Sequence, residues 1–353
     1  MTVTRRVQAL IERMSKVSQA PAATNEPSRS TAALAEMADL LIDVPAADSD
    51  VRPGALLAGS AAPSFHREVM QMRALYKAAA EVKGAKYTPL RQVPRKLANY
   101  RYAASHGVAV PTIFGAWRTP RDVPWTDLPD TFVLKADAGA SGRSVQALRR
   151  CVGGYGTIDG LHRFTPGQLR EHWEELARRG STAGPYFAEE LLVDPHGGLM
   201  PIDIKIFAFR GEIAHVLLRR VSKLGHYADP TWRFLNPDGT SLAPEHSLKK
   251  QDHDIPVPRH LSDLVDVASV LSAHAPFPFM RIDMYEVKDR ILVGELTLMP
   301  GGRKAYGVEH DRRLGHMWLN AQARLLVDLH RGNPYAFERG PHGDDVVPVV
   351  STS

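Results

Sequence analysis

The chain has 353 residues, of which 44% are hydrophobic and 24% are charged, and a formal net charge of +5. This composition is ordinary for a folded globular protein, and the length is sufficient for two domains or one large one. The sequence has no apolar run long enough to span a membrane and no signal-peptide pattern, and its single cysteine excludes an internal disulfide. We therefore expect a cytoplasmic protein whose mild positive charge suits an anionic small molecule, and we find no nucleic-acid-binding motif.

Five regions follow one another along the chain. Residues 1–60 become rich in Ala, Pro and Ser, which predicts a weakly structured extension. Residues 61–130 predict a helical lead-in with a first strand. We predict an N-terminal subdomain over residues 131–193 and a C-terminal subdomain over residues 194–330. Residues 331–353 are rich in Pro and Gly, which is typical of a loose tail.

The first two predicted strands are Val108–Trp117 and Thr131–Lys135, and the second ends in a lysine. A loop of small residues, 138–144, follows it immediately. Gly and Ser let backbone N–H groups approach an anion closely, and the lysine adds a positive charge, so this segment suits a phosphate group. It is not a Walker A sequence, because no Gly-Lys-Ser/Thr is present. A hairpin turn has the same composition and remains the alternative interpretation.

Two adjacent acids lie in the middle of the next predicted strand, Tyr186–Val193. Glu189 and Glu190 must point to opposite faces of a strand, so only one of them can enter a given site. One interpretation is an edge strand with a solvated acid. The other is a hinge that hydrogen-bonds a purine amine, with backbone groups of Leu191 and Leu192 also available.

The stretch Pro201–Phe209 alternates strictly between polar or aromatic and aliphatic residues, which predicts a strand. Asp203 and Lys205 share one of its faces. They are either a surface ion pair or part of a site. The segment Ser222–Leu235 is rich in Gly, aromatic and basic residues, and we interpret it as an irregular loop that covers the sheet.

Residues 280–299 predict a β-hairpin that carries a pair of carboxylates on one face. If the hairpin is centred on Asp289, Asp283 lies opposite Glu295, and Val293 shares the face of Glu295. Like charges that face each other repel, so this arrangement favours a bound cation, and hard oxygen ligands suit Mg²⁺. The alternative is a solvated face with two unrelated acids, because one residue more or less in the turn breaks the register.

Taken together, these stretches resemble the ATP-grasp superfamily, and most closely its TupA-like branch, which is similar to the teichuronopeptide-biosynthesis ligase. The resemblance covers roughly residues 95–315. The matching segments are PRKLANYRYAASHGVAVP, PDTFVLKADAGASGRSV, YFAEELL, PIDIKIFAFRGE, HYADPTWRFL, FMRIDMYEVKDRILVGELTLMPGG and EHDRRLG. The resemblance implies an α+β fold in which two α+β subdomains clamp ATP between antiparallel sheets.

The resemblance also implies roles for individual residues. The implied ATP contacts are Lys96, Lys135, Gly139, Ser141, Gly142, Ser144, Glu189, Glu190, Leu191, Leu192, Asp203 and Lys205. The implied magnesium ligands are Asp283, Glu295 and Thr297. Catalytic roles fall to Arg281, Arg303 and Lys205, with the two arginines suited to hold a carboxylate or an acyl phosphate. Many ATP-grasp enzymes carry Asn at the position of Thr297, which leaves the third metal contact open.

The implied function is an ATP- and Mg²⁺-dependent carboxylate–amine ligase. The carboxylate attacks the γ-phosphate of ATP, and an amine then attacks the acyl phosphate, giving an amide, ADP and phosphate. The anionic substrate would be an amino acid, a peptide or a cell-envelope sugar acid, with a separate amine acceptor. A phosphotransferase and a non-catalytic nucleotide-binding module are the alternatives, and a homodimeric assembly is left open.

Overall fold

The computed structural model describes residues 62–83, 88–139, 144–194, 197–198, 200–221, 230–242, 250–300 and 306–332. The predicted extension over residues 1–60, and the predicted tail beyond Gly332, lie outside the described residues. So do three of the predicted site residues, which are Ser141, Gly142 and Arg303. No helix in the described part of the chain is long and apolar enough to cross a membrane.

Two antiparallel sheets and the helices that cover them make up the described part of the chain. The helices are α1 (Phe65–Ala79), α2 (Pro89–Gln92), α3 (Lys96–Ser105), α4 (Pro166–Arg178), α5 (Leu261–His274) and α6 (Val308–His330). The six-stranded sheet has the order β1-β6-β2-β3-β4-β5 and the five-stranded sheet the order β11-β10-β7-β8-β9. This arrangement confirms the predicted α+β fold class.

Each sheet collects strands that are close in sequence. The six-stranded sheet contains β1 (Ile113–Trp117), β2 (Thr131–Ala138), β3 (Val145–Cys151), β4 (Gly154–Thr157), β5 (Arg163–Phe164) and β6 (Ala183–Glu189). The five-stranded sheet contains β7 (Asp203–Phe209), β8 (Glu212–Arg220), β9 (Thr231–Leu235), β10 (Met280–Val287) and β11 (Arg290–Thr297). The strand β1, from the predicted lead-in, is an edge strand of the first sheet.

The alternation along β7 decides which face of the five-stranded sheet is covered. Ile204 and Ile206 belong to the apolar cluster that includes α5. On the other face, Phe207 packs with side chains of α1 and α6. Residues two apart on a strand share a face, so Asp203 and Lys205 lie on the same face as Phe207. One end of this face is therefore buried under helices, and the other end carries charged residues.

Helix α3 is buried on nearly all sides, with eight of its ten residues buried. Leu97 and Tyr100 pack with Phe187 of the six-stranded sheet, whereas Ala98 and Tyr102 belong to the cluster of the five-stranded sheet. A helix that is buried all round lies inside a core, and α3 is therefore shared by the packing of both sheets.

Several of the predicted strand boundaries are wrong. Lys135 lies inside β2, which continues to Ala138, and not at the end of the strand. The first strand begins at Ile113 and not at Val108, since Pro111 has no N–H to donate to a sheet. The strand β6 ends at Glu189 and not at Val193, because its neighbour β1 begins at Ile113, the partner of Glu189. The predicted irregular loop is wrong over Thr231–Leu235, because these residues form β9 and pair with β8. Its first part, residues 222–229, lies outside the described residues.

Candidate active site

The β10–β11 hairpin brings the predicted acids together. Asp283 pairs with Glu295 and Arg281 pairs with Thr297, which confirms the predicted register at these positions. On the other side of β10, Asp283 pairs with Lys205 of β7. Two acids and a lysine therefore lie in one row across three neighbouring strands.

The register at the acids is correct although the predicted turn is wrong. Val287 pairs with Arg290, so the turn has two residues and is one residue shorter than predicted. Met284 pairs with Val293, and the next pair joins Asp283 to Glu295, which leaves Gly294 as the extra residue of a β-bulge. The turn is one residue shorter than predicted and the bulge adds one residue, so their effects on the register of Asp283 and Glu295 cancel. The bulge also reverses the predicted orientation of Val293, which packs in the core with Met284.

The bulge depends on a close contact at Gly294. A Cβ atom at this position would lie 2.6 Å from Cε2 of the Tyr285 ring. Real Cβ atoms do not approach another carbon so closely, so a side chain at residue 294 would displace the ring. The missing side chain therefore lets Tyr285 lie against the strand that carries Glu295.

A chain of alternating charges crosses the five-stranded sheet. Arg281 donates through Nε and Nη2 to the two oxygens of Asp283, at 2.5 and 2.6 Å. Lys205 Nζ donates to Asp283 Oδ2 at 2.5 Å and to Asp203 Oδ1 at 2.8 Å. Arg219 extends the chain, with Nη1 3.4 Å from Asp203 Oδ2. Asp203 and Lys205 are only 9% and 8% exposed, so the interpretation as a surface ion pair is wrong.

Burial by itself would raise the pKa of Asp283. The positive charges of Arg281 and Lys205, and the hydrogen bonds that they donate, outweigh burial and hold the pKa of Asp283 below its ordinary value. Asp283 is therefore ionised, and each cation is balanced by a carboxylate within hydrogen-bonding distance.

Glu295 differs from the other acids of this face. Its side chain is exposed, and within the described ranges no hydrogen bond or ion pair to its carboxylate is found. The described residues contain no group of three or more His, Cys, Asp or Glu that could hold a metal ion. A magnesium ion that is bound with a nucleotide needs only one or two carboxylates, since phosphate oxygens complete its ligands. Glu295 and Asp283 fit that requirement, and Thr297 Oγ1 lies 3.4 Å from Nη2 of Arg281.

A second cluster lies on the six-stranded sheet. Lys135 forms an ion pair with Glu189 Oε1, and Lys135 Nζ donates to the Tyr100 hydroxyl at 3.1 Å. The Tyr100 hydroxyl donates to Glu189 Oε2 at 2.7 Å. Burial, and then the charge of Glu189, raise the pKa of Tyr100 well above its ordinary value, so the phenol stays protonated. Tyr100 is not among the predicted site residues, because nothing in a helical stretch distinguishes this tyrosine from a core residue.

Lys96 holds the two ends of the Gly- and Ser-containing loop. Its Nζ donates to Ala136 O at 3.1 Å, to Gly139 O at 3.3 Å and to Ser144 Oγ at 3.3 Å. Burial lowers the pKa of Lys96, and the charge of Glu295 opposes this effect. The described contacts of the Lys96 amine are therefore with the base of the loop.

Glu190, the first residue after β6, has different partners from Glu189. It accepts hydrogen bonds from the backbone N–H of Thr112 at 2.8 Å and from Arg290 at 2.8 and 3.2 Å. The hydrogen bond from Arg290 is the main reason why the pKa of Glu190 lies below its ordinary value. Of the other predicted hinge residues, Leu191 is half-buried and Leu192 is buried.

Carboxylates of both sheets influence the same two tyrosine side chains. Burial raises the pKa of Tyr285 well above its ordinary value, and negative charges on both sheets add to the effect. These charges belong to Asp203, Asp283, Glu189 and Glu295. The charge of Glu295 likewise acts on Tyr100 of α3. Acids of both sheets therefore lie within electrostatic range of Tyr285 and of Tyr100.

The chain was compared with models of known protein families and with the sequences of curated proteins. The model of a family described as TupA-like ATPgrasp matches residues 70–319. No sequence among the curated proteins matches the chain.

Several solved structures have a distant likeness to the chain. A D-alanine–D-alanine ligase from Bacillus anthracis is 13% identical, with 69% of this chain and 71% of that chain covered and a TM-score of 0.42. A RimK domain ATP-grasp protein from Sphaerobacter thermophilus is 12% identical, with 70% and 76% covered and a TM-score of 0.41. An L-amino acid ligase from Bacillus licheniformis is 13% identical, with 64% and 46% covered and a TM-score of 0.38.

Proposed function

The chain belongs to the TupA-like ATP-grasp family, and from this premise we propose that it is an ADP-forming ligase that joins a carboxylate to an amine. The observation that carries the proposal is the buried row of alternating charges on the five-stranded sheet, next to an unpaired Glu295. Arg281, Asp283 and Lys205 are fixed by mutual hydrogen bonds at 2.5–2.6 Å. Fixed charges of this kind stabilise charge that develops during phosphoryl transfer.

The nucleotide would lie between the two clusters. Its phosphates would meet the loop that Lys96 holds and the amine of Lys135, because backbone N–H groups and lysines bind anions. The proposed phosphate contacts on this side are Lys96, Lys135, Gly139, Ser141, Gly142 and Ser144. The base would meet the end of β6 and the segment that follows it, through Glu189, Glu190, Leu191 and Leu192. Asp203 and Lys205 would face the nucleotide from the five-stranded sheet.

A magnesium ion would bind on the five-stranded sheet, beside the phosphates. Asp283 and Glu295 would hold the ion, with Thr297 as a third contact, and their hard oxygens are the ligand type that Mg²⁺ prefers. When it is bound, the ion offsets the negative charge of the phosphate oxygens. The described arrangement leaves Glu295 free for this role, whereas Asp283 must share its oxygens with Arg281 and Lys205.

The residues of the chain then have separate tasks in the proposed reaction. The substrate carboxylate attacks the γ-phosphorus as the bond to ADP breaks, and the amine later displaces phosphate from the acyl phosphate. Arg281 and Lys205 would hold the oxygens that gain negative charge, and Arg303 would add a further positive charge. Within the described residues, Nη1 of Arg281 makes no hydrogen bond, so a donor remains for an anionic substrate. The substrate class we propose is an amino acid, a peptide or a cell-envelope sugar acid.

Product analysis tests this function. The purified chain would be incubated with ATP, Mg²⁺ and pairs of candidate acids and amines, with ADP release and product mass as the readouts. An amide that forms together with ADP and phosphate supports the proposal. A phosphorylated product without an amide would identify a phosphotransferase. Binding of ATP without ADP release in any mixture would instead identify a nucleotide-binding module.

A further inference from the structure

A closed hydrogen-bonded triangle joins the side chains of Tyr100, Glu189 and Lys135. The donor and the acceptor of each contact in it can be assigned. The phenol has a single proton and gives it to Glu189 Oε2, 2.7 Å away. Its oxygen can then only accept from Lys135 Nζ, 3.1 Å away. Lys135 also pairs with Glu189 Oε1. An ammonium group has three N–H donors, so one donor of Lys135 is left over once the triangle is satisfied.

We propose that Tyr100 is a positioning and specificity residue, which fixes the Glu189 carboxylate so that it selects the base of the nucleotide and fixes the Lys135 ammonium so that it meets a phosphate. The proposal rests on the proposed function. Without the phenol, Lys135 and Glu189 would still attract each other, but one carboxylate oxygen would lose its donor. The carboxylate could then rotate, and the remaining Lys135 donor would no longer have a fixed direction.

The helix that carries Tyr100 is well suited to such a task. The neighbouring Asn99, with its amide oriented to match its partners, donates to Val93 O at 2.8 Å and accepts from Leu296 N at 3.1 Å. Leu296 follows Glu295, the proposed metal ligand. Adjacent residues of α3 therefore hold the Lys135–Glu189 pair on one sheet and the strand of the proposed metal ligand on the other.

The same helix supplies a matched control. Tyr102 is also a buried phenol, and its hydroxyl donates to the backbone oxygen of Leu271 in α5 at 2.6 Å. Tyr102 thus fastens α3 to a helix on the far side of the five-stranded sheet, away from Lys135 and Glu189. Tyr100→Phe and Tyr102→Phe each remove one buried hydroxyl from one helix, but only the first change opens the triangle.

The test measures binding of ATP and GTP to the full chain by calorimetric titration, together with thermal unfolding. We expect Tyr100→Phe to weaken ATP binding about ten-fold and to narrow the preference for ATP over GTP, because a hydrogen bond to a charged group is lost. Tyr102→Phe should lower the unfolding temperature and leave the ratio of the two affinities unchanged. If Tyr100 acts through Glu189, its substitution should change this ratio little in a Glu189→Gln background.

The outcomes separate this inference from the proposed function. Wild-type protein that binds no nucleotide would refute the function itself. A wild type that prefers ATP, with a Tyr100→Phe variant of equal preference, would overturn the role of Tyr100 alone. Equal losses in both tyrosine variants would also overturn it, since they would indicate a role in folding. If Tyr100→Phe does not fold, 3-fluorotyrosine at this position keeps the ring and strengthens the donor, and an unchanged ATP to GTP ratio then counts against the proposal.

Discussion

Arg290 lies next to the turn of the β10–β11 hairpin and donates two hydrogen bonds to Glu190. Glu190 directly follows β6 of the six-stranded sheet. The two residues are 100 positions apart in the chain. Their ion pair joins the segment proposed to meet the base to the hairpin proposed to hold the metal. It lies at the surface, with the Arg290 side chain 49% exposed.

This ion pair should contribute little to stability and should depend on pH. The pKa of Glu190 is lowered chiefly by its hydrogen bond from Arg290, so its contribution is complete above the pKa of an unfolded Glu, about 4.3. The contribution is lost as the pH falls through the lower folded value. We expect Arg290→Ala to reduce the free energy of unfolding by about 0–1 kcal/mol at pH 7. Urea unfolding at pH 7 and near pH 3 measures this, and a difference that is larger at the lower pH would contradict it.

The preference for ATP over GTP should depend on Glu189 and not on Glu190. A carboxylate that accepts from the adenine amine would meet a carbonyl in guanine, and such a mismatch costs on the order of 1–3 kcal/mol. Glu189→Gln can donate through its amide and should narrow the preference, whereas Glu190→Gln should barely change it. The measurement is the apparent affinity of ATP and of GTP for the wild type and for each of the two variants. A preference that depends on Glu190 would mean that the base lies on the other face of the strand.

Lys135→Ala should weaken ATP binding and also destabilise the fold. Its partner Glu189 is only 3% exposed, and removing one member of a buried ion pair costs roughly 3–5 kcal/mol because the other charge is left unpaired. A Lys135→Ala, Glu189→Gln double variant removes that charge. It should regain much of the stability but not the affinity for ATP, as measured by thermal unfolding and calorimetric titration. Recovery of both properties would mean that Lys135 does not contact the nucleotide.

The two proposed metal ligands should respond differently to loss of charge. Glu295→Gln should abolish Mg²⁺-dependent turnover at almost unchanged stability, because the carboxylate is exposed and no described residue pairs with it. Asp283→Asn should also abolish turnover, but it removes the carboxylate that balances Arg281 and Lys205 and should lower the unfolding temperature. Turnover across a magnesium titration, with thermal unfolding of each variant, separates the two effects. Full activity of both variants would refute the metal site.

The bulge at Gly294 should be necessary for the site. Gly294→Ala would place a Cβ atom 2.6 Å from the Tyr285 ring, and the strain of such overpacking is typically about 1–3 kcal/mol. We expect lower turnover and a lower unfolding temperature. Gly167→Ala is the control, because its Cβ atom would come no closer than 3.9 Å to another residue and Ala favours a helix. A Gly294 variant that behaves like the Gly167 variant would show that the ring has room to move.

The sequence was informative where local patterns determine the structure. The facing of Asp283 and Glu295 followed from alternation and a centred turn, although the prediction succeeded only because the shorter turn and the bulge compensate. The helix ends and the antiparallel hairpins also depend on residues close in sequence. The contacts of Asp283 with Lys205 join residues 78 positions apart, and a pattern within one strand carries no information about its neighbour.

The contacts of Tyr100 also could not be predicted from a local pattern. Its stretch predicts a helix, but its phenol has hydrogen-bonding partners 35 and 89 positions away. Only the packing of α3 between the two sheets brings them together. In the same way, the free carboxylate of Glu295 and the paired one of Asp283 look alike in the sequence and differ only through what surrounds them.

The bulge separates two properties of this hairpin that a regular hairpin would combine. Gly294 faces no partner in the pairing, so a hairpin without it would keep the two-residue turn and would still place Asp283 opposite Glu295. Such a hairpin would lose the bend that a bulge adds to its strand. The facing of the two acids and the bend of the strand that carries Glu295 therefore depend on different features of the hairpin, and one can change without the other.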